Sequence, residues 1–300
     1  MGNSSVNLSS LARGSIRQFS IPSVVLTSDD LRRLYRLLGN RAGEASEYEV
    51  AGWKQLQEQS AEQFESAKVN AKALLRVAVT VQGTNGDWVG GPNEEPLSEG
   101  SLPDSLSRIT FDSAFQFRSQ FKIEPQNSFS VILDFSRTII TDLTNQAIMP
   151  ESNQSTVRIS GSKDGWVKAV HDDLKDFFKE RSTPRGLLHR RFSYDFFLLV
   201  LGFPASLALC YHIAKWITPR VALPTSVAAP LYVALFLVSW LFFRFGFNYV
   251  KWIFPKVDGP NRRTWPGLHR GVLVLIGGAL VSLIVESIVH ILRASILGAQ

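Results

Sequence analysis

Nineteen consecutive residues, 196–214 (FFLLVLGFPASLALCYHIA), contain no Asp, Glu, Lys or Arg. An α-helix rises 1.5 Å per residue, so roughly 20 apolar residues cross a hydrocarbon core ~30 Å thick. Two further blocks follow: residues 226–243 hold no charge, and residues 271–292 admit only Glu286 and His290. Packed as core helices, the three would need a covering shell that the last third of a 300-residue chain does not supply. Tyr194, Tyr211, Trp216, Trp240, Tyr249, Trp252 and Trp265 fall near block ends, where amphipathic rings favour the headgroup region. The blocks predict three transmembrane helices, at 196–214, 226–243 and 271–292. Pro204 is tolerable in the first where neighbouring helices or local waters satisfy the carbonyl it releases.

The hydrophobic content of 45% is ordinary, because a polar first half offsets the apolar end. The net charge of +6 is concentrated beside the blocks. Lys175, Lys179, Arg181, Arg185, Arg190 and Arg191 precede the first, and Arg244, Lys251, Lys256, Arg262, Arg263 and Arg270 separate the second from the third. That placement suits anionic lipid headgroups and argues against a nucleic-acid groove. Arg181, Arg185, Arg190, Arg191, Arg262, Arg263 and Arg270 are the expected lipid-facing cations. The other short loops carry Lys215, Arg220 and Arg293, so the bias is twelve against three. The positive-inside rule then puts the N-terminal domain in the cytosol and the C-terminal tail, 293–300, on the far side of the cell membrane. An organellar membrane is the alternative. Residues 1–26 lack the apolar core of a secretory signal and are expected to be flexible, although their Ser- and Arg-containing, acid-free composition also suits a transit peptide.

Residues 27–182 carry the patterns of a soluble α+β domain. Thr27-Ser28-Asp29-Asp30 caps a short helix ending near Gly39. Trp53, Leu56, Ser60, Phe64, Ala67, Ala71 and Leu74 recur at helical steps and predict a longer helix over about 44–72. Alternation then predicts strands at Val77-Val79-Val81, Ile109-Phe111, Phe115-Phe117-Phe121, Phe129-Val131-Leu133-Phe135 and Val157-Ile159, in a mainly antiparallel sheet covered on one face by helices. Residues 83–100 read as a loop. A last amphipathic helix runs from about 164 to 182 and leads into a basic linker, 183–195. Residues 244–270 form a basic cytosolic loop.

Candidate chemistry is sparse. The domain has one histidine, His171, and no cysteine, which argues against zinc sites and Ser-His or Cys-His machinery built within it. The lone Cys210 lies in the first apolar block, so no intramolecular disulfide forms. His171-Asp172-Asp173 lacks the further histidines of a metal-dependent hydrolase. Asp112 with Asp134 could hold magnesium, Gly83-Thr84-Asn85-Gly86-Asp87 could cradle phosphate, and Arg118, Lys122, Arg137 and Arg158 could line a basic sheet face. Each is better explained as a turn or a solvated strand position. No catalytic, cofactor-binding or metal-binding residue is assigned, and no cofactor is expected.

The third block holds the most informative constellation. Gly278, Ser282, Glu286 and His290 recur every four residues and so lie on one helical stripe. Small residues and hydroxyls at that spacing favour helix contacts in lipid, and an ionisable group inside a span is costly enough to suggest a partner or a polar path. The sequence thus points first to a membrane protein whose cytosolic domain senses or binds a protein or small ligand and is coupled to a three-helix bundle. A channel-like or membrane-perturbing effector, oligomerising through the third span, comes second. A membrane-bound enzyme comes last.

Overall fold

The computed structural model describes residues 14–55, 57, 59–98, 100–137, 153–190, 192–217 and 224–260, with individual positions from 269 to 289. The chain divides into two compact units. One comprises residues 1–136, 153–183 and 257–263, and the other residues 137–152, 184–256 and 264–300.

The first unit is an α+β fold. Its six-stranded sheet contains β1 (Ser15–Ser20), β3 (Ala78–Gly83), β4 (Trp88–Gly91), β5 (Leu106–Asp112), β6 (Asn127–Asp134) and β7 (Thr156–Gly161), in the order β1-β7-β6-β5-β3-β4. Every pairing is antiparallel. Alternate residues Val79, Val81, Ile109, Phe111, Phe129, Val131, Leu133, Val157 and Ile159 are buried. They pack in one core with Leu31, Leu34 and Leu38 of α1 (Ser28–Ala51) and Val167, Val170, Leu174 and Phe178 of α4 (Asp164–Glu180). At about 1.5–3 kcal/mol for each large apolar side chain removed from water, this shared face is the main driving force of the domain.

Several elements depart from the sequence expectation. Helix α1 does not stop at Gly39, because the buried series Leu31, Leu34, Leu38, Ala42, Ala45 keeps one face turned to the sheet past both Gly39 and Gly43. Burial of that series outweighs roughly 1 kcal/mol of helix propensity lost at each glycine. The single helix expected over 44–72 is broken. A second helix, α2 (Ala61–Leu74), starts afresh at a capping box in which Ser60 and Gln63 bond each other's backbone N–H groups. The Phe115–Phe121 run is a short helix, α3, in which Phe117 is buried while Phe115 and Phe121 are exposed. A strand would have put Phe115 and Phe117 on the same face. Both sheet edges, β1 and β4, fall where a flexible start and a loop were expected. Edge strands have little apolar alternation, and Ile16 and Trp88 are exposed.

The second unit holds two helices long and apolar enough to cross a membrane, Ser193–Ile217 (25 residues) and Val227–Ile253 (27 residues). Only 11% and 6% of their most apolar stretches are buried, unlike the core helix of a soluble fold. The first comprises α5 (Ser193–Phe197), a π-helical turn over Leu198–Gly202, and α6 (Phe203–Ile217). In the π turn the Phe203 N–H reaches back five residues to the Leu198 carbonyl. The widened turn ends two residues before Pro204, which has no N–H to continue the regular ladder.

The second helix, α7 (Thr225–Ile253), continues past the expected end at 243 and takes Arg244 and Lys251 out of the presumed loop. Its last turns are packed rather than solvated, with Phe247, Asn248 and Lys251 buried. In the third block the described positions are helical, but they do not make up a third such helix.

Candidate coupling site at the two chain junctions

Within the α+β domain, strand β2 (Val24–Val25) and its neighbours Ser23 and Leu26 bond both the residues that precede 184 and those that follow 256. Toward the first long helix, Val24 forms an antiparallel bridge with Ser182, and the Thr183 N–H donates to the Ser23 carbonyl at 2.8 Å. The Ser23 and Thr183 hydroxyls are 3.1 Å apart. Pro184 follows at once, and a residue before proline favours extended backbone, which is what pairing at Thr183 requires. On the return from the second long helix, β8 (Val257–Asp258) pairs in parallel with β2, Val24 with Val257 and Val25 with Asp258. The Leu26 N–H then donates to the Asp258 carbonyl at 2.8 Å. One four-residue segment therefore holds both ends of the 73-residue excursion 184–256.

Val24 and Val257 are both in the main core, so the clasp is anchored by burial as well as by backbone bonds. Beyond β8, Gly259 abuts the edge of the Phe135 ring. A Cβ added there would come within 2.5 Å of the ring, so only glycine fits.

The clasp is tied to the helix ends beside it. Thr27 caps α1 through a reciprocal pair of bonds with Asp30: the Asp30 N–H donates to Thr27 Oγ1 at 3.1 Å, and the Thr27 N–H donates to Asp30 Oδ2 at 3.0 Å. The other carboxylate oxygen accepts from Arg181 Nε at 2.7 Å, and Arg181 also donates to the Phe177 carbonyl and stacks 3.8 Å from the Phe177 ring centroid. Burial pushes the Asp30 carboxyl up, but the Thr27 bonds and the Arg181 charge outweigh it and hold the group below its ordinary value. Arg181, expected to face lipid headgroups, pairs instead with a carboxylate of its own domain. Its side chain is 15% exposed and its charge is spent on Asp30.

Of the other expected lipid-facing cations, Arg185 lies over the Phe254 ring, Arg190 is exposed, and Arg191, Arg262, Arg263 and Arg270 lie outside the described residues. On the polar stripe, Gly278, Ser282 and Glu286 are helical and exposed, whereas His290 lies outside the described residues. A Cβ added at Gly277 or Gly278 would meet nothing within 4 Å, so no described part of the same chain packs on that position. The small-residue seam that is formed joins α6 to α7. Gly202 abuts Phe243, the Ser239 hydroxyl bonds Ser206 Oγ at 3.0 Å, and Phe203 meets Phe236 at 5.7 Å. Gly202, Ser206 and Ser239 could have been read from small residues in facing spans.

The other candidates are not brought together. Asp112 caps the Ala114 N–H and pairs with Arg118. Asp134 is buried and accepts the Ser136 and Gln154 N–H groups. In the β5–β6 register Asp134 faces Arg108 while Asp112 faces Ser130, placing the carboxylates at opposite strand ends. Residues 83–87 form a hairpin turn whose Gly83 and Gly86 N–H groups are used internally. Arg118 and Lys122 lie at α3, so the basic sheet face is not assembled. Glu49, which the sequence did not single out, is buried and accepts the Gln126 N–H at 2.6 Å; burial pushes its carboxyl up despite that bond and one from Trp53. Among the described residues, no group of three or more His, Cys, Asp or Glu is placed to hold a metal ion.

Comparison of the chain with protein-family models, with curated proteins and with solved structures gives no match.

Proposed function

We propose that the chain is a multi-pass integral membrane protein in which a cytosolic sensing or binding domain is coupled to membrane helices through the β2 clasp. The observation that carries this reading is that residues 182–183 and 257–258 are both hydrogen-bonded to Ser23–Leu26. A hairpin that crosses the bilayer and returns must have both ends on one side, and the domain binds both ends. The excess of Lys and Arg beside those ends favours the cytosol for that side and anionic headgroups as neighbours. A third crossing by residues 271–292 would leave the C-terminus opposite.

A ligand or partner that shifts α1, α4 or β2 would act on both covalent connections at once. Its differential affinity for the two clasp arrangements would set how far the helices respond. Joining Val25→Cys to Asp258→Cys by a disulfide, in a Cys210→Ser background, tests the coupling. The locked chain should stay folded and membrane-bound, and residues 184–256 should be cut by protease more slowly than in the same chain with the disulfide reduced. An unchanged cleavage rate on locking would contradict coupling through the clasp.

The second reading, an effector that oligomerises through its spans, is favoured by one observation. The exposed Gly278, Ser282 and Glu286 stripe has room for another helix.

A further inference from the structure

The sheet ends on one side at β4, a strand of four residues, Trp88-Val89-Gly90-Gly91. The Gly83 N–H donates to the Asp87 carbonyl at 2.7 Å, so Gly83 and Asp87 are a hydrogen-bonded pair, and in an antiparallel ladder such pairs alternate. In the observed register the next ones are Val81 with Val89 and Val79 with Gly91. The backbone N–H and C=O groups of Trp88 and Gly90 therefore point away from β3, and among the described residues nothing bonds to them. Both residues are exposed, Trp88 to 67%. A Cβ added at Gly90 would lie 3.4 Å from Trp88 Cζ3, so the indole reaches along the strand toward Gly90 with most of its surface in solvent.

Sheet edges are commonly blunted by lysine, proline or a bulge, and β4 has none of these. Its surroundings are acidic instead. Between Arg76 and Arg108 the chain carries Asp87, Glu94, Glu95, Glu99 and Asp104 and no Lys or Arg, against a net charge of +6 for the whole. Asp87 directly precedes Trp88. At the other end of the strand Asn93 lies 3.1 Å from a Cβ added at Gly91, and its Nδ2 donates to Glu95 Oε2 at 3.3 Å. Glu94 pairs with Arg36 of α1, whereas Asp87 and Glu95 make no ion pair among the described residues. The opposite edge, β1, has the other sign: it contains Arg17, and residues 1–28 hold no acid.

We propose that β4 takes a basic, extended segment of a partner protein as a seventh strand. The backbone of that segment bonds the outward groups of Trp88 and Gly90, which supplies affinity without regard to sequence. The indole receives an Arg or Lys side chain over its face, and Asp87 and Glu95 at the two ends of the strand select positive neighbours and repel acidic ones. The proposal rests on the binding role given to the α+β domain above and names the class of its partner.

The test uses the full chain purified in an uncharged detergent and the fluorescence anisotropy of labelled peptides. The probes are Thr-Lys-Val-Arg-Val-Lys-Thr, the same peptide methylated at every backbone nitrogen, and a version with Glu in place of each cation. Saturable binding of the first peptide alone is expected, weakening as salt is added. Trp88→Lys sets a like charge on the edge and removes the indole, and should raise the half-saturating concentration at least about threefold. Asp87→Lys should act in the same direction and serves if the first variant does not fold. Ile16→Lys, on the exposed β1 edge, should leave binding unchanged. Equal binding of the methylated or the acidic peptide, no saturable binding, or an equal loss in Ile16→Lys would overturn the proposal. So would a particle mass that rises with protein concentration without peptide and falls in Trp88→Lys, which would seat a second copy on the edge. Slower cleavage of the disulfide-locked chain without peptide binding defeats only this partner, whereas saturable binding with an unchanged cleavage rate on locking defeats only the coupling.

Discussion

Asp30 and Arg181 join the first turn of α1 to the end of α4 at 2.7 Å, one residue before the strand bridge that leads out of the domain. Both side chains are largely buried, at 17% and 15% exposure, so the pair is screened less than a surface ion pair. Asp30→Ala removes the carboxylate half of the capping box and leaves Arg181 with only the Phe177 carbonyl and exposed Glu180, and should cost about 1–3 kcal/mol in denaturant unfolding of the domain. Arg181→Lys should cost less, because the charge remains while the donors to Asp30 and Phe177 cannot both be kept.

The acid dependence of two carboxyls should have opposite signs. Asp30 is held below its ordinary value of 3.8, so its stabilisation is complete above that value and is lost as pH falls through the lower folded value. Glu49 is pushed above its ordinary 4.5, so stability is lost as pH rises from 4.5 through the raised folded value. Glu49→Gln should therefore raise the melting temperature at neutral pH, and the gain should vanish below about pH 4. Melting curves of Asp30→Asn and Glu49→Gln from acid to neutral pH check both signs. A gain for Glu49→Gln that persists at low pH would contradict the assignment.

Gly259→Ala should drive a methyl group into Phe135 and destabilise the domain by about 1–3 kcal/mol, as overpacking does. Phe135→Leu in the same chain should recover part of the loss. Additive losses in the double variant would mean that the two residues do not share the space.

The seam between α6 and α7 predicts unequal effects. Ser206→Ala should cost about 0.6 kcal/mol in detergent, the usual scale of an interhelical bond in membrane proteins. Gly202→Leu must displace Phe243 and should cost more and raise protease sensitivity. Gly278→Leu should leave the stability of the single chain unchanged, because nothing within the described chain lies near that Cβ. If the stripe joins copies, it should instead lower the particle mass.

The first two apolar blocks were legible from length and composition, and the inward-facing strand positions because burial writes a period into the sequence. Val79-Val81, Ile109-Phe111 and Val157-Ile159 alternate as their buried faces do. The edge strands were not legible: Ser15–Ser20 is mostly polar, and its place is fixed by pairing with Thr156–Gly161, far along the chain. Helix α3 was lost because its three phenylalanines alternate almost as well as they fit a helix. The clasp was legible least of all. Val24-Val25 and Val257-Asp258 are two-residue strands with no pattern of their own, and only the returning chain creates their partnership. The Asp30 cap could be read locally, but its bond to Arg181 could not.

On the proposed topology the chain leaves Thr183, crosses the membrane, crosses back and rejoins β2 at Val257. Single cysteines at Gln57, Arg220 and Pro260, in a Cys210→Ser background, can be labelled with an impermeant maleimide in sealed right-side-out vesicles. Arg220→Cys should react from outside, whereas Gln57→Cys and Pro260→Cys should react only after the vesicles are opened. Labelling of Arg220→Cys with the same sidedness as Gln57→Cys, or of Pro260→Cys with the opposite sidedness to Gln57→Cys, would contradict it.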